Sequence, residues 1–427
     1  MRTMQLTAAA FVLFCSQVFS TALSDSAAKM SPGTWLLFHN NGQRGFGGGA
    51  GELLDACDGF HTILEWTGKA AWDPTSDEFV FVGQGHYACQ KYIRYSASQN
   101  QWRTKPDPSW TGGIGHAYFN NTINPANGDH YYKKYGGQDV YKRSGSTGTW
   151  TTLPKNTLVQ YWQCCTAMEY FPEMNGFVLI NGTEFTAGRG NVYFFNGSQW
   201  STLATNLSLS DYSNQIMYNP MHKVVIFGRS SLYKISASGQ VTALGNPPVA
   251  IGDGDGQGRF TYDPASGKYL VLAGDGLYEY DVVADSWRKT STSTPPVSSG
   301  GYVTFDIIVA PVASCGVTMW VKWNYNNSRV FLYKHAAGNT TADRMPLKSA
   351  PEIAVSPNPF RSSINIRLPE GANACSIHDM NGRLLKQFAP DGAKSLTWNA
   401  GTAPAGVYLL RVSSGREVHV KRLLLQK

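Results

Sequence analysis

Apolar and polar positions along the chain follow one scheme six times. A turn ending in proline recurs as WDP at Pro74, INP at Pro125, YFP at Pro172, YNP at Pro220, YDP at Pro264 and VAP at Pro311, so that successive prolines stand 51, 47, 48, 44 and 47 residues apart. After each comes a short apolar run of strand composition: EFVFVGQG, DHYYKKYGG, GFVLING, KVVIFGR, KYLVLAGDG and VTMWVKW. A second run built on an aromatic follows, at Tyr95, Tyr141, Tyr193, Tyr233, Tyr278 and Tyr333. Four units then close on a tryptophan, Trp102, Trp150, Trp200 or Trp287; Val241 takes that place in the fourth unit, and the sixth has no clear equivalent. With the residues ahead of each proline, the scheme predicts four short strands per unit.

Short strands, Gly-rich turns and repeating aromatics at a period of about 40 to 50 residues are the mark of propeller blades. Over residues 33–350 the sequence resembles the kelch family and its galactose-oxidase-like relatives, whose blades carry an apolar strand, a Gly pair, a Tyr and a Trp; a true Gly-Gly doublet stands only at Gly136-Gly137. The resemblance implies an all-β, six-bladed propeller, or a seven-bladed one if residues 33–62 form a sheet of their own. GTWLLF at 33–38 is similar to the blade-ending GTWTTL at 148–153. It is therefore expected to pair into the last blade and close the ring, removing free edges. The copper-radical chemistry of galactose-oxidase-like relatives needs a matched Tyr, Cys and His set that has no place in this sequence, and it is not carried over.

Past residue 350 the texture changes to apolar-polar alternation between turns, predicting a small Ig-like β-sandwich over 351–427. SPNP at 356–359, a D-x-x-G-R turn from Asp379 to Arg383, GVY at 406–408 and a basic, apolar end resemble the C-terminal sorting domain of the type IX secretion system. That resemblance implies the secretion machinery as a partner and a secreted or outer-surface location in a Gram-negative bacterium. The first 22 residues fit a secretory leader: Arg2, then AAAFVLF, then Ser20-Thr21-Ala22 at the expected cut, leaving 23–350 for the propeller. No other stretch approaches the roughly 18 apolar residues of a membrane span.

Charge narrows the partners. The net +7 divides unevenly: residues 351–427 hold ten Lys/Arg against five Asp/Glu and the leader adds Arg2, leaving 25 basic and 24 acidic residues between them. A nearly neutral propeller is no nucleic-acid footprint. Export to an oxidising compartment lets cysteines pair, and six remain after Cys15 leaves with the leader. Cys57 and Cys89 could staple the long insertion of the first blade. The neighbours Cys164 and Cys165 point to opposite faces of a regular strand; they read as a buried or separately bonded thiol, as a strained vicinal disulfide at the channel mouth, or as part of a catalytic or metal site.

The prolines also serve as a ruler for the first strand of each blade, which runs beside the axis. Nine residues back stand Glu65, His116, Gln163, Asp211, Asp255 and Tyr302; seven back, Thr67, Tyr118, Cys165, Ser213, Gln257 and Thr304; five back, Lys69, Asn120, Ala167, Gln215, Arg259 and Asp306. Four back, on the other parity, the set is mainly apolar: Ala70, Asn121, Met168, Ile216, Phe260 and Ile307. Alternation therefore predicts one face toward water or ligand and one toward packed neighbours. Glu65, His116, Asp211, Asp255 and Tyr302 are the types that supply general acids and bases, or oxygen-rich ligands for a divalent cation such as calcium. Lys69 and Arg259, one layer deeper, would hold an anionic group or compensate the carboxylates. Trp66, Tyr118, Trp162 and Tyr212 are expected as exposed aromatics for stacking on sugar, with Gln163, Cys165 and Gln257 beside them. The expected function is glycan binding at the axial mouth; a polysaccharide lyase or glycoside hydrolase using the same residues, and a structural or protein-contact module, are the alternatives.

Overall fold

The computed structural model describes residues 20–40, 53–55, 62–85, 90–104, 115–158, 166–181, 189–209, 214–249, 251–252, 259–291, 295–298, 307–323, 328–336, 353–368, 372–379, 383–390, 392–414 and 417–426. They form two compact units, 1–345 and 346–427.

The first unit holds six four-stranded antiparallel sheets, spanning 71–104, 121–152, 166–208, 215–243, 259–291 and, in the sixth, 307–334 joined by Thr34–Asn40. Their innermost strands, Ala71–Asp73, Asn121–Ile123, Thr166–Phe171, Gln215–Asn219, Arg259–Tyr262 and Ile307–Val312, each lie beside the next, and the sixth lies beside the first. This is a closed six-bladed propeller. The segment from 34 to 40 makes the outer strand of blade six and no sheet of its own, pairing antiparallel with Arg329–Lys334 from Thr34↔Lys334 to Asn40↔Arg329. It also reaches blade one: the Trp102 indole donates to His39 Nδ1 at 3.1 Å, and His39 Nε2 bonds Asn100 at 2.9 Å.

Both faces of the blades are apolar, as expected for sheets sandwiched between sheets. In blade three Phe177 and Leu179 pack with Val140 and Tyr131 of blade two, while Val178 and Ile180, on the opposite parity, pack with Ile216 and Phe227 of blade four. Each of the six interfaces has its own apolar cluster, and the one between blades six and one also takes Leu23 and Ala27 of the helix Ala22–Lys29. The outer-strand tryptophans join these clusters: Trp102 lies against Phe79 and Tyr95, and Trp150 against Tyr92 and His130, which places His130 in the packing.

Local side-chain bonds mark where four of the six inner strands end. Asp73, Asn124, Asn219 and Asp263 precede their prolines, and their side-chain oxygens accept from the N–H groups of Thr75, Ala126, Met221 and Ser266 at 2.7 to 3.1 Å. Proline then presets the first turn residue, and the third residue after it closes the four-residue loop in the left-handed region. Those residues are Asp77, Gly128, Asn175, Lys223 and Gly267, with φ between 51° and 71°. In blade six the left-handed residue is Gly316, and the last pair is Val312↔Val317 where blade three has Phe171↔Gly176. Ala313 therefore stands in the place of Pro172, while Pro311 lies two residues upstream inside the strand. The proline ruler is two residues out in this blade, and Thr304 replaces Tyr302 at the level nine back; both lie outside the described residues.

At mid-height the axis is filled. Lys69, Asn120, Ala167, Gln215 and Arg259 are all at most 2% exposed. The expectation of a water-facing row fails at this level because six strands converge and the side chains occupy the centre. Lys69 of blade one reaches blade three, where its Nζ donates to the Met168 carbonyl at 2.9 Å and pairs with Glu169. Burial pushes the Lys69 pKa well below its ordinary value, and the carboxylate in contact is the compensating interaction. Thr166 donates to Asn120 at 2.7 Å, and Gln215 accepts from Phe260 N–H at 2.9 Å. Gly68 gives this layer its clearance: a Cβ there would sit 2.1 Å from the Phe119 ring and 2.8 Å from the Arg259 guanidinium.

The second unit packs a three-stranded sheet (Ala354–Ser356, Ser363–Arg367, Ser395–Asn399) with a four-stranded one (Ala372–His378, Leu384–Phe388, Gly406–Ser414, Glu417–Leu425) around Phe360, Ile366, Ile377, Trp398 and Leu410. The sequence motifs have structural duties here. Asp379 accepts from Arg383 N–H at 2.9 Å across the D-x-x-G-R turn, and Tyr408 of GVY packs edge-on to Trp398. Cys375 in this core and Cys315 in the propeller are free thiols. The other five cysteines, including Cys57, Cys89, Cys164 and Cys165, lie outside the described residues.

Two predictions follow from these contacts. Glu279, on blade five, accepts from Arg288 and His335 at 2.7 Å each and pairs with Lys268 at 3.0 Å. Burial alone would raise its pKa, but the bonds from His335, Arg288 and Lys268 outweigh it and hold the carboxyl at about 2. A depressed carboxyl stabilises the fold above its unfolded pKa and loses that contribution as pH falls through the folded value. Thermal melts should therefore show wild-type stability declining between about pH 4.5 and 2. Glu279→Gln should cost about 2 kcal/mol at neutral pH and flatten that acid limb. Gly68→Ala should cost about 1–3 kcal/mol, read as a lower denaturant midpoint, because the added methyl group displaces Phe119 and Arg259.

Candidate functional site

The filled layer divides the axis into two mouths. One is ringed by the loops that lead into the inner strands, the other by the Asx-Pro turns.

At the loop mouth, blades one and two bring several expected residues together. Trp66 and Tyr118 pair across the gap between blades: Tyr118 N–H donates to the Trp66 carbonyl at 2.6 Å, and Gly68 N–H donates to the Tyr118 carbonyl at 3.0 Å. Both residues hold left-handed backbone, φ 59° at Trp66 and 41° at Tyr118. Such conformations cost about 1–3 kcal/mol each in bulky residues and persist where surrounding structure imposes them. They also explain why the inner strands of these two blades have only three residues, since ladder geometry is broken just upstream.

The Trp66 ring lies 5.4 Å from His116, and His116 lies 4.9 Å from Tyr118 and 5.0 Å from Tyr135. The His116 Nδ1 is hydrogen-bonded to the Tyr118 hydroxyl at 2.6 Å. Trp66, Tyr135 and Glu65 are half-buried, whereas His116 and Tyr118 are 8% and 3% exposed. Tyr118 is thus not the exposed platform the sequence suggested: it is packed beneath Trp66 and Tyr135 and presents a hydroxyl engaged by His116. Glu65 lies against Gly85, where a Cβ would come within 3.1 Å of its Oε2. Lys133, two residues before Tyr135, is buried, and desolvation pushes its pKa down to about 7, with Asp139 opposing.

Gln163, Cys165, Asp211, Tyr212, Asp255, Gln257 and Tyr302, with Trp162, lie outside the described residues. Lys69 and Arg259 belong to the filled layer below. Among the described residues no group of three or more His, Cys, Asp or Glu side chains is placed to hold a metal ion. Asp255, expected as an oxygen ligand, is not among them.

At the turn mouth the sequence reading missed a feature. A cavity of about 190 Å³ is lined by the residue two before the first turn position in all six blades: Trp72, Ile123, Tyr170, Tyr218, Tyr262 and Pro311. Lys69 and Glu169 also line it. Tyr170 is tied sideways, accepting from Asn124 at 2.9 Å and donating to Asn175 at 3.2 Å, and Tyr218 donates to Glu173 at 3.0 Å. Burial pushes the Tyr262 hydroxyl up to about 12, with Asp263 adding to the effect. The signal was in the repeating motif itself, whose leading letters are W, I, Y, Y and Y in the first five blades. A wider, open depression of about 420 Å³ lies off the axis, between the helix Ala22–Lys29 and the closing strand.

Among the described residues no helix is long and apolar enough to cross a membrane. No protein of curated function matches the chain. The fold is similar to solved structures at low identity. Regucalcin, a calcium-binding protein from Agrobacterium tumefaciens, shares 14% identity over 64% of this chain and 92% of its own, with a TM-score of 0.41. The GH74 enzyme of Niastella koreensis shares 12% over 63% of this chain and 37% of its own, at 0.39. The SapL1 lectin, in complex with alpha methyl fucoside, shares 8% over 62% of this chain and 97% of its own, at 0.38. Residues 354–426 match the family described as the secretion system C-terminal sorting domain. The chain is therefore a β-propeller followed by a secretion sorting domain, and that domain marks it as a secreted or cell-surface protein.

Proposed function

We propose that the propeller binds an extracellular glycan at its loop mouth, after export behind a cleaved leader and passage of a Gram-negative outer membrane by the type IX route. The observation that carries the reading is the Trp66, His116, Tyr118 and Tyr135 cluster, built across two blades on backbone held in the left-handed region. Strained aromatic positions at the rim of a rigid scaffold suit stacking on the apolar faces of sugar rings. Glu65, beside them, is half-buried and adds acceptors for hydroxyl groups.

A second reading has its own support. A histidine hydrogen-bonded to a tyrosine hydroxyl at 2.6 Å is an acid-base pair, the arrangement a polysaccharide lyase needs to remove a proton from one carbon and return one to the leaving oxygen. The same surface would serve both.

Incubating the protein with a panel of polysaccharides, while following retention, unsaturated products and new reducing ends, separates the two. The binding reading expects retention on at least one polymer without products, and about tenfold or greater weakening in Trp66→Ala. Unsaturated products that vanish in both His116→Ala and Tyr118→Phe would establish the lyase. Neither retention nor turnover on any polymer would remove the glycan reading. For the sorting domain, intact mass of the form outside the cell should end near residue 350.

A further inference from the structure

The seam that closes the ring carries a titratable group. His39, on the closing strand Thr34–Asn40, is 3% exposed and makes side-chain bonds that tie this strand to blade one. Donor and acceptor roles fix its state. The Trp102 indole N–H can only donate, so the Nδ1 it meets at 3.1 Å carries a lone pair and no proton. Asn100 Oδ1 accepts from the Tyr95 hydroxyl at 2.9 Å and from His39 Nε2 at 2.9 Å, so Nε2 carries the proton. The imidazole is therefore neutral and held in one tautomer.

A second proton has one place to go, Nδ1, where it would set one N–H against another beside a buried indole. Burial also opposes the charge. Phe38, stacked on the ring at 4.1 Å, would attract an imidazolium, but more weakly than the lost bond and the desolvation oppose it. The charged groups of the surrounding elements point elsewhere. On blade one, Glu78, Arg94 and Arg103 alternate with Phe79, Tyr95 and Trp102 and so lie on the other face, and Asp77 is exposed. On blade six, Val330 stands opposite His39 and Arg329 opposite Asn40, while Lys334 donates to the Ala27 carbonyl at 3.1 Å. On the helix Ala22–Lys29, Asp25 and Lys29 are exposed, and Ala22 and Ser26 share with His39 and Asn100 the depression of about 420 Å³. That depression is the route by which solvent protons reach the seam.

We propose that His39 is a pH-operated latch on the closed ring. Neutral, it ties the closing strand to blade one; protonated, it loses the Trp102 bond and releases the seam between blades six and one. An imidazole held neutral when latched, and free to take a proton when released, stabilises closure above the ordinary histidine value of about 6.5. The contribution is lost as pH falls below that value, and one proton per opening raises the opening constant by at most about tenfold per pH unit. This window lies above the acid limb assigned to Glu279, so the two effects separate on the pH axis.

The test follows amide hydrogen exchange in the full chain from about pH 7.5 to about pH 5, corrected for the intrinsic effect of pH on exchange. Protection of the ladder between Thr34–Asn40 and Arg329–Lys334 should fall about fivefold or more, while the blade-three ladder between Gly176–Asn181 and Arg189–Phe195 keeps its protection. His39→Gln should abolish the step whatever protection it starts from. Trp102→Phe keeps the histidine and removes the N–H that opposes its second proton, so it should shrink the step; thermal melts confirm that both variants fold. In the wild-type chain, imidazole NMR near neutral pH should find the proton on Nε2 alone. An Nδ1–H tautomer or an imidazolium there, protection of the closing strand that does not change with pH or falls equally in blade three, or a step undiminished in either variant would each overturn the proposal.

Discussion

A sheet that is apolar on both faces has no comfortable place at the end of a stack. Every blade of this propeller is such a sheet, with alternate residues of one strand committed to different neighbours, as Phe177 and Val178 are. Two open ends would expose about as much apolar surface as one blade interface buries, and burial is worth roughly 25 cal/mol per Å². Curving the stack until its ends meet removes both. The closing strand Thr34–Asn40 completes this by belonging to blade six through its ladder and to blade one through His39. Axial convergence, and hence the existence of two mouths, follows from the closed ring.

Convergence has a price at the centre, where six strands leave room for a few side chains and no bulk solvent. Apart from Ala167, the described residues of the layer are polar, and they satisfy backbone and side-chain groups from several blades at once. Lys69 spans from blade one to blade three, and Gln215 ties blade four to blade five. A purely apolar plug could not make those bridging bonds. The layer thereby separates the axis into two chemically different ends, one strained and aromatic with a His-Tyr pair, the other a small aromatic cavity floored by an ion pair.

Much of the fold was legible because the information is local and repeated. In four blades an Asx-Pro turn fixes where the inner strand ends through bonds within three residues, and blade three keeps the proline without the Asx, so counting back from proline recovers layers around the axis without knowing the sheets. GTWLLF announced its role by likeness to a true blade end. The ruler slipped in blade six because Pro311 lies within a strand, where the turn chemistry falls to Ala313 and Gly316. The site was less legible. Alternation says which residues share a face but not how near the axis they stand, so Lys69 and Arg259 read as a ligand-facing row and prove to be filling. The left-handed turns at Trp66 and Tyr118 carry no glycine to announce them, since they are imposed by contacts between blades.

The closing strand also sets an order of events. It is among the first parts of the propeller to be synthesised, and its ladder partner, Arg329–Lys334, is the last propeller strand to appear. Nearly three hundred residues separate the two halves of one hairpin-like pairing, so loop-closure entropy defers it until the intervening blades have condensed. Until then Thr34–Asn40 is a strand without a sheet. A chain built this way stays incomplete for as long as it is being threaded from its N-terminus, and becomes a ring only once its far end arrives.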